Sequence, residues 1–143
     1  VPPAYQAVEW LAFASNAFNV MAPFYANIET TPAYLANTSS TVSTDNFYWT
    51  CRLIAAMADA SYSRSLIHIE RWQQAVAAKV HQLLHQYDTL QAQESDTHQQ
   101  LQLRETANQA VAAMLQKETA ATLDKVLFEL SSQMKNAYSR SDA

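Results

Sequence analysis

The sequence predicts a mainly helical fold, a long helical hairpin plus a buried helix, led by an N-terminal pair of β-strands. Three observations predict it. Among 143 residues there is no glycine, where ordinary usage would supply about ten. Glycine supplies positive φ in tight turns and close backbone approach to phosphates, so long helices with few turns are favoured. Rossmann and P-loop phosphate motifs are excluded outright. From Ser63 to Gln91, Leu66, Ile69, Trp72, Val76, Val80, Leu83, Tyr87 and Leu90 step by threes and fours, which draws one apolar stripe on a helix. Before residue 29, by contrast, aromatic and β-branched residues crowd two short segments.

The first segment is 5–13 (Tyr5, Ala7, Val8, Trp10, Leu11, Phe13) and the second 18–28 (Phe18, Val20, Met21, Phe24, Tyr25, Ile28). Both read as strands, separated by Ser15-Asn16-Ala17, because Asn tolerates positive φ. Pro23 removes a ladder donor and so belongs at an edge or a bulge. Two strands alone are barely stable in water; these need a larger sheet, and the chain offers no other strands.

Residues 29–44 read as a polar loop containing Pro32. Ser43 or Thr44 caps the next helix, with Asp45 in its first turn complementing the dipole. That helix covers 45–60 and is apolar on nearly every face (Phe47, Tyr48, Trp49, Cys51, Leu53, Ile54, Met57), the mark of a buried helix. A second helix spans 63–91, and Glu94-Ser95-Asp96 marks a break and a new cap. A third runs over 96–138, carrying Leu101, Ala107, Val111, Met114, Leu123, Val126, Leu127, Leu130, Met134 and Tyr138. A small break falls near Lys117-Glu118, and the tail from Ser139 to Ala143 frays. The two long helices form an antiparallel hairpin closed at 92–96.

Charge narrows the function. From Val1 to Cys51 there is no Lys or Arg, and Glu9, Glu29 and Asp45 are the only charges. An ordinary surface is about a quarter to a third charged, so this aromatic stretch is built to be covered. The chain begins Val-Pro-Pro and reads as a fragment of a larger parent. Net charge is −4, which argues against nucleic acid as a partner, since phosphate contacts need clustered Lys and Arg. No apolar run approaches the roughly 20 residues of a membrane span. One cysteine permits no internal disulfide.

Candidate chemistry is sparse. His81, His85 and Asp88 lie at i, i+4 and i+7 on one helical face, a spacing a metal could use. The pattern lacks the Glu of the stricter H-E-x-x-H rule, and a solvated flank of a Gln-rich helix is the favoured reading. Cys51 sits among Trp49, Thr50, Arg52 and Leu53. Arg52 projects about 100° away around the helix, so a structural core cysteine is favoured over a nucleophile. Glu9 and Glu29 make no convincing carboxylate pair. Arg64, Glu70 and Arg71 read as a solvated edge, and Trp10, Trp49 and Trp72 as core. No catalytic, cofactor-binding or metal residue is assigned, and no cofactor is expected.

Five stretches carry a family resemblance: Glu9-Trp10-Leu11-Ala12-Phe13-Ala14-Ser15, Phe18 to Tyr25, Thr31-Pro32-Ala33-Tyr34, Ser43 to Trp49, and Arg52 to Asp59. Together they resemble the C-terminal part of the dipeptidase A family, cysteine-type dipeptidases of lactic acid bacteria and relatives. Met134 to Asp142 is also similar to the family's C-terminus. The resemblance is dense over 5–62 and thinner along the Gln- and Ala-rich helices. Ala14 departs from it, standing where a glycine is expected before the Ser.

The resemblance implies an N-terminal-nucleophile hydrolase. Such a parent stacks two β-sheets between helical layers, an α+β sandwich. Its nucleophile is the first residue of the mature chain, a cysteine whose own α-amino group, with pKa near 8, acts as base. The implied reaction is hydrolysis of dipeptides through an acyl-enzyme. The implied organisation makes 1–143 the C-terminal segment of a larger catalytic domain, with 1–37 a strand pair and loop and 38–143 the helical part. Cys51 is internal and cannot be that nucleophile, so the fragment alone is expected to be inactive. Asn16, Asn19 and Tyr25 are polar tips that could approach the substrate cleft. Expected partners are the remainder of the parent chain, a dipeptide substrate in the whole enzyme, and a second copy in a homo-oligomer. The expected location is the cytoplasm, with secretion of the parent left open. A stand-alone helical interaction module, or a metal-binding bundle resting on His81, His85 and Asp88, are the competing readings.

Overall fold

The computed structural model describes residues 8–12 and 18–134. Two strands, β1 (Val8–Leu11) and β2 (Ala22–Tyr25), pair antiparallel with Val8 opposite Tyr25 and Leu11 opposite Ala22. The expected strands were longer at both ends; residues 5–7, Phe13 and the Ser15-Asn16-Ala17 turn lie outside the described residues. Pro23 stands opposite Trp10 in this two-stranded sheet. Among the described residues each strand is therefore an edge, which is where proline is tolerated.

The loop after β2 holds an element the sequence reading lacked, the one-turn helix α1 (Ala33–Ala36). Pro32 sets its start, since a fixed φ suits the first turn, and here φ is −55°. Tyr34 is why the turn exists: its ring is buried and packs 5.7 Å from Phe47.

Helix α2 (Phe47–Ala60) is capped by Asn46, whose Oδ1 accepts the Trp49 N–H at 2.9 Å. This corrects the expectation of a Ser43 or Thr44 cap. Asn46 is buried and satisfies the orphan donor from inside the fold. The helix is also less enclosed than expected. Phe47, Thr50, Cys51, Ile54 and Ala58 form its buried stripe, while Tyr48, Trp49, Leu53 and Met57 are half-buried. A single residue, Ser61, separates α2 from α3 (Tyr62–Gln93). Its hydroxyl donates to the Met57 carbonyl at 2.8 Å and meets the Ser65 hydroxyl at 2.6 Å, so this glycine-free corner leaves no polar atom stranded.

Helix α4 (Thr97–Ser132) starts at Asp96, whose side chain accepts the His98 N–H at 3.1 Å, as the Glu94-Ser95-Asp96 break predicts. It then runs 36 residues without interruption, roughly 54 Å at 1.5 Å per residue. The expected break at Lys117-Glu118 is absent. There the Thr122 hydroxyl bonds the Glu118 carbonyl at 3.0 Å and Lys79 of α3 pairs with Glu118. Residues 135–138, and the expected frayed tail Ser139–Ala143, lie outside the described residues.

The hairpin is antiparallel. Cross-links run from His68–Glu129 near the open end to Trp72–Thr119 and Lys79–Glu118 further in. The inward stripe of α4 differs from the expected one. It is Arg104, Asn108, Val111, Leu115, Thr119, Thr122 and Val126, with Ala107 and Ala112 beside it. Leu101, Met114 and Leu123 flank it half-buried, and Leu127 is exposed. The polar members are admitted because each finds a partner. Thr119, for one, accepts the Trp72 indole N–H at 3.3 Å and lies within reach of the Tyr34 hydroxyl. One core joins Phe18, Val20, Ala22 and Phe24 to Phe47, Ile54, Ile69, Trp72, Val76, Val111, Leu115 and Val126. Among the described residues of the neutral N-terminal stretch, Phe18, Val20, Ala22, Phe24, Tyr34 and Phe47 are thus buried against the chain's own helices, while most of 29–45 is exposed.

Candidate functional site

The densest polar structure lies where β2 meets α3 and α4. Asn108 clamps the last residue of β2: its Oδ1 accepts the Tyr25 N–H at 2.9 Å and its Nδ2 donates to the Tyr25 carbonyl at 3.0 Å. One turn earlier, Arg104 Nε donates to the Asn27 carbonyl at 3.1 Å. Glu105 Oε1 accepts the N–H groups of Glu29 and Thr30 at 3.0 and 3.1 Å. Asn108 stands four residues from Arg104 and three from Glu105, so each is its neighbour on the surface of α4. They read the backbone from 25 to 30 much as a neighbouring strand would.

The Tyr25 hydroxyl donates to Asp88 of α3. Burial, then the adjacent Asp88 carboxylate, pushes this hydroxyl far above its ordinary range, although Gln91 and Arg104 pull the other way. Gln91 is fully buried and lies close to the same hydroxyl, yet neither atom of its amide is in hydrogen-bonding geometry. Above this junction opens a cleft of about 270 Å³, lined by Glu9, Leu11, Phe24, Tyr25, Ile28, Pro32, Leu35 and Asn108 among others. It carries hydrogen-bonding groups and apolar walls, the make-up of a small-ligand site.

Tyr25 is the sequence-derived candidate at this cleft. Asn16 lies outside the described residues, and Asn19 sits elsewhere, its carbonyl accepting from Gln73 Nε2 at 2.9 Å. His81, His85 and Asp88 do share a flank of α3, but each has a separate role. His81 packs against Trp10 with centroids 6.4 Å apart, His85 is exposed, and Asp88 serves Tyr25. Among the described residues no three His, Cys, Asp or Glu side chains converge. Glu9 and Glu29 are exposed. Glu9 lines the cleft, whereas Glu29 presents its backbone to Glu105. Arg64, Glu70 and Arg71 are exposed on α3.

Cys51 is fully buried, and burial pushes its thiol up to about 12. A thiol so protonated at neutral pH is a poor nucleophile. Of the three tryptophans only Trp72 is core. Trp49 is half-buried with its Nε1 donating to the Ser39 carbonyl at 2.7 Å, and Trp10 is 44% exposed. The expectation of three core tryptophans is corrected because strand β1 leaves one side of Trp10 uncovered. The residues that sequence reasoning missed are Arg104, Glu105 and Asn108. A signal existed: Arg104 and Asn108 stand four apart, in step with Val111 and Leu115, so the apolar stripe places them inward.

The model of the family described as Peptidase family C69 matches residues 1–75, which hold both strands, α1, α2 and the first turns of α3. The chain belongs to peptidase family C69. Among relatives of this C69 chain, a protein named "Probable dipeptidase A" from Streptococcus pyogenes serotype M1 is 40% identical over 141 residues, 99% of this chain and 29% of that protein. A "Dipeptidase" from Bifidobacterium longum is 32% identical over 99% of this chain and 33% of that protein. "Dipeptidase A" of Lactobacillus helveticus is 33% identical over 88 residues, 62% of this chain and 18% of that protein. The C69 chain therefore spans less than a third of the length of the relatives it matches. Among the described residues no helix is long and apolar enough to cross a membrane.

Proposed function

We propose that this C69 chain is the C-terminal segment of a longer cysteine-type dipeptidase that hydrolyses dipeptides through an acyl-enzyme. The observation that carries the reading is the family match combined with relatives named dipeptidases, of which the chain spans 29–33%. The nucleophile, an N-terminal cysteine, lies outside the chain. Cys51 does not substitute for it, because its nitrogen is in a peptide bond and its thiol is buried and protonated. The segment contributes a strand pair to the parent sheet, a helical layer behind it, and one wall of the cleft at Tyr25. By itself it is inactive.

The test is a dipeptide hydrolysis assay on the 143-residue chain and on the longer polypeptide. The chain alone is expected to show no turnover, and the longer protein to turn over equally well with Cys51 or with Cys51→Ala. Hydrolysis by the chain alone, lost on Cys51→Ala, would sink the reading.

A helical interaction module is the second reading. The observation favouring it is that Phe18, Val20, Phe24 and Phe47 are buried within the chain itself, as a self-sufficient domain requires. A longer polypeptide without peptidase activity, and a partner held by the isolated chain, would move the conclusion there.

A further inference from the structure

We propose that the sheet takes one further strand, on the outer edge of β1 and not of β2. The strand is an extended segment from the part of the longer polypeptide that this chain does not include. The proposal rests on the reading of the chain as part of a longer protein, and refines it to one edge.

The argument starts from strand geometry. Within a strand the N–H and C=O of one residue point to the same side, and successive residues alternate. Tyr25 turns both groups to Asn108, at 2.9 and 3.0 Å, and therefore away from β1. Val8, opposite Tyr25, must then turn its own pair away from β2. The alternation repeats one step on, at Trp10 opposite Pro23. Proline has no N–H, and here it occupies the outward position where none is needed for the ladder.

The two outer edges are thus unequal. That of β2 is closed, because Asn108 uses the polar groups of Tyr25 and Pro23 offers no donor. That of β1 presents the N–H and C=O of Val8 and Trp10, and among the described residues no other strand pairs with it. Open edges of this kind recruit strands.

The surroundings say what the added strand carries. Trp10 and Met21 are 44% and 53% exposed. With Val20, Ala77, Val80 and His81 they line a cleft of about 270 Å³ between Trp10, the approach to β2 and α3. The face of β1 that bears Trp10 calls for an apolar side chain from the new strand. The opposite face bears exposed Glu9 and calls for a basic or neutral one, since like charges across strands repel. The source is the missing length. The matched segment is only 29% of the relatives, which leaves most of the longer polypeptide to supply an extended segment.

The experiment has two arms. In the first, the 143-residue chain is examined alone by sedimentation and by amide exchange. With its strand missing, the β1 edge is expected to capture a second copy, giving a dimer and no larger species. Trp10→Thr keeps the N–H and Trp10→Pro removes it, so the proline variant should dimerise roughly tenfold more weakly than the threonine variant. Phe128→Ser, at the exposed end of α4, should change nothing. A strictly monomeric chain, fibres instead of dimers, or a dimer that depends on Phe128 and not on the Trp10 amide would each overturn the proposal.

In the second arm, the longer polypeptide should protect the Trp10 amide from exchange as strongly as the Tyr25 amide, without dimerising through β1. A Trp10 amide that still exchanges as in the monomeric chain overturns it, and so does a longer protein that still dimerises through this edge. Absence of dipeptidase activity would count against the proposed function and leave these readouts intact.

Discussion

Asn108 stands where an aliphatic residue would ordinarily fill the helix–sheet interface, and its amide replaces a missing backbone neighbour for Tyr25. Asn108→Ala leaves the N–H and C=O of Tyr25 without partners in a buried setting. Stability is expected to fall by about 3 kcal/mol, seen as a lower urea midpoint. Cys51 and Tyr34 make the chain sensitive to alkali. Burial raises the Cys51 thiol from 9.0 to about 12, and burial, then the nearby Cys51, raises the Tyr34 hydroxyl from 10.0 to about 12. Below about pH 9 folded and unfolded chains hold these protons equally. Above it the unfolded chain releases protons that the folded chain retains, so stability declines from about pH 9 to about pH 12. Cys51→Ala is expected to remove the earliest part of that decline in a series of melts against pH. Reagents should label the thiol of the folded chain slowly at neutral pH.

Among the elements, α2 shows how a cap is chosen by burial as much as by residue type. Ser43, Thr44 and Asn46 are all competent caps, and the structure uses the one that is buried beneath the helix. Asn46→Ala should lower stability by about 1 kcal/mol, whereas Ser43→Ala should stay within about 0.5 kcal/mol. Thermal melts of the two variants separate these outcomes; equal effects would refute the assignment. Helix α4 depends on Leu115, fully buried in the common core. Leu115→Ala is expected to lose 2–5 kcal/mol, roughly the range for a buried leucine. Helices of this type were legible from residue spacing, because burial of one face imposes a three-and-four rhythm. The phase of α4 was not. Its inward row alternates Arg104, Asn108, Thr119 and Thr122 with Val111, Leu115 and Val126. Thr122 bonds the Glu118 carbonyl one turn back on its own helix, but Arg104, Asn108 and Thr119 enter the row because a partner waits across the interface, and partners at sequence distances of 47 to 83 residues are invisible to local spacing.

For the whole molecule, the burial of the described apolar residues that precede α2 decides how the chain unfolds. Phe18, Val20, Ala22 and Phe24 enter the same core as the hairpin, so the chain is expected to unfold in one cooperative transition, with calorimetric and van't Hoff enthalpies in agreement. Two separate transitions would mean that the strand pair is ordered apart from the helices. Among the described residues the exposed large apolar side chains are Trp10 on β1 and Met21 just before β2, Val42 in the loop before α2, Tyr62, Ile67 and Leu90 along α3, and Leu127, Phe128 and Met134 toward the end of α4. Of these, Trp10 lies on the strand whose outer edge is open.

The sequence by itself determined the helical hairpin, its closure within 92–96, the strand pair and the resemblance to dipeptidases. Each rests on local physics or on residue identity: periodic burial, capping, turn chemistry, and motifs read in order. Only the tertiary structure decided that Asn46 caps α2, that Tyr34 folds a loop into α1, that Asn108 closes one edge of the sheet, and that His81 and Asp88 serve Trp10 and Tyr25. Those outcomes depend on which polar group meets which across the packed interfaces. That choice is set by desolvation: a buried donor or acceptor without a partner is costly, and the partner is found in space, far along the chain.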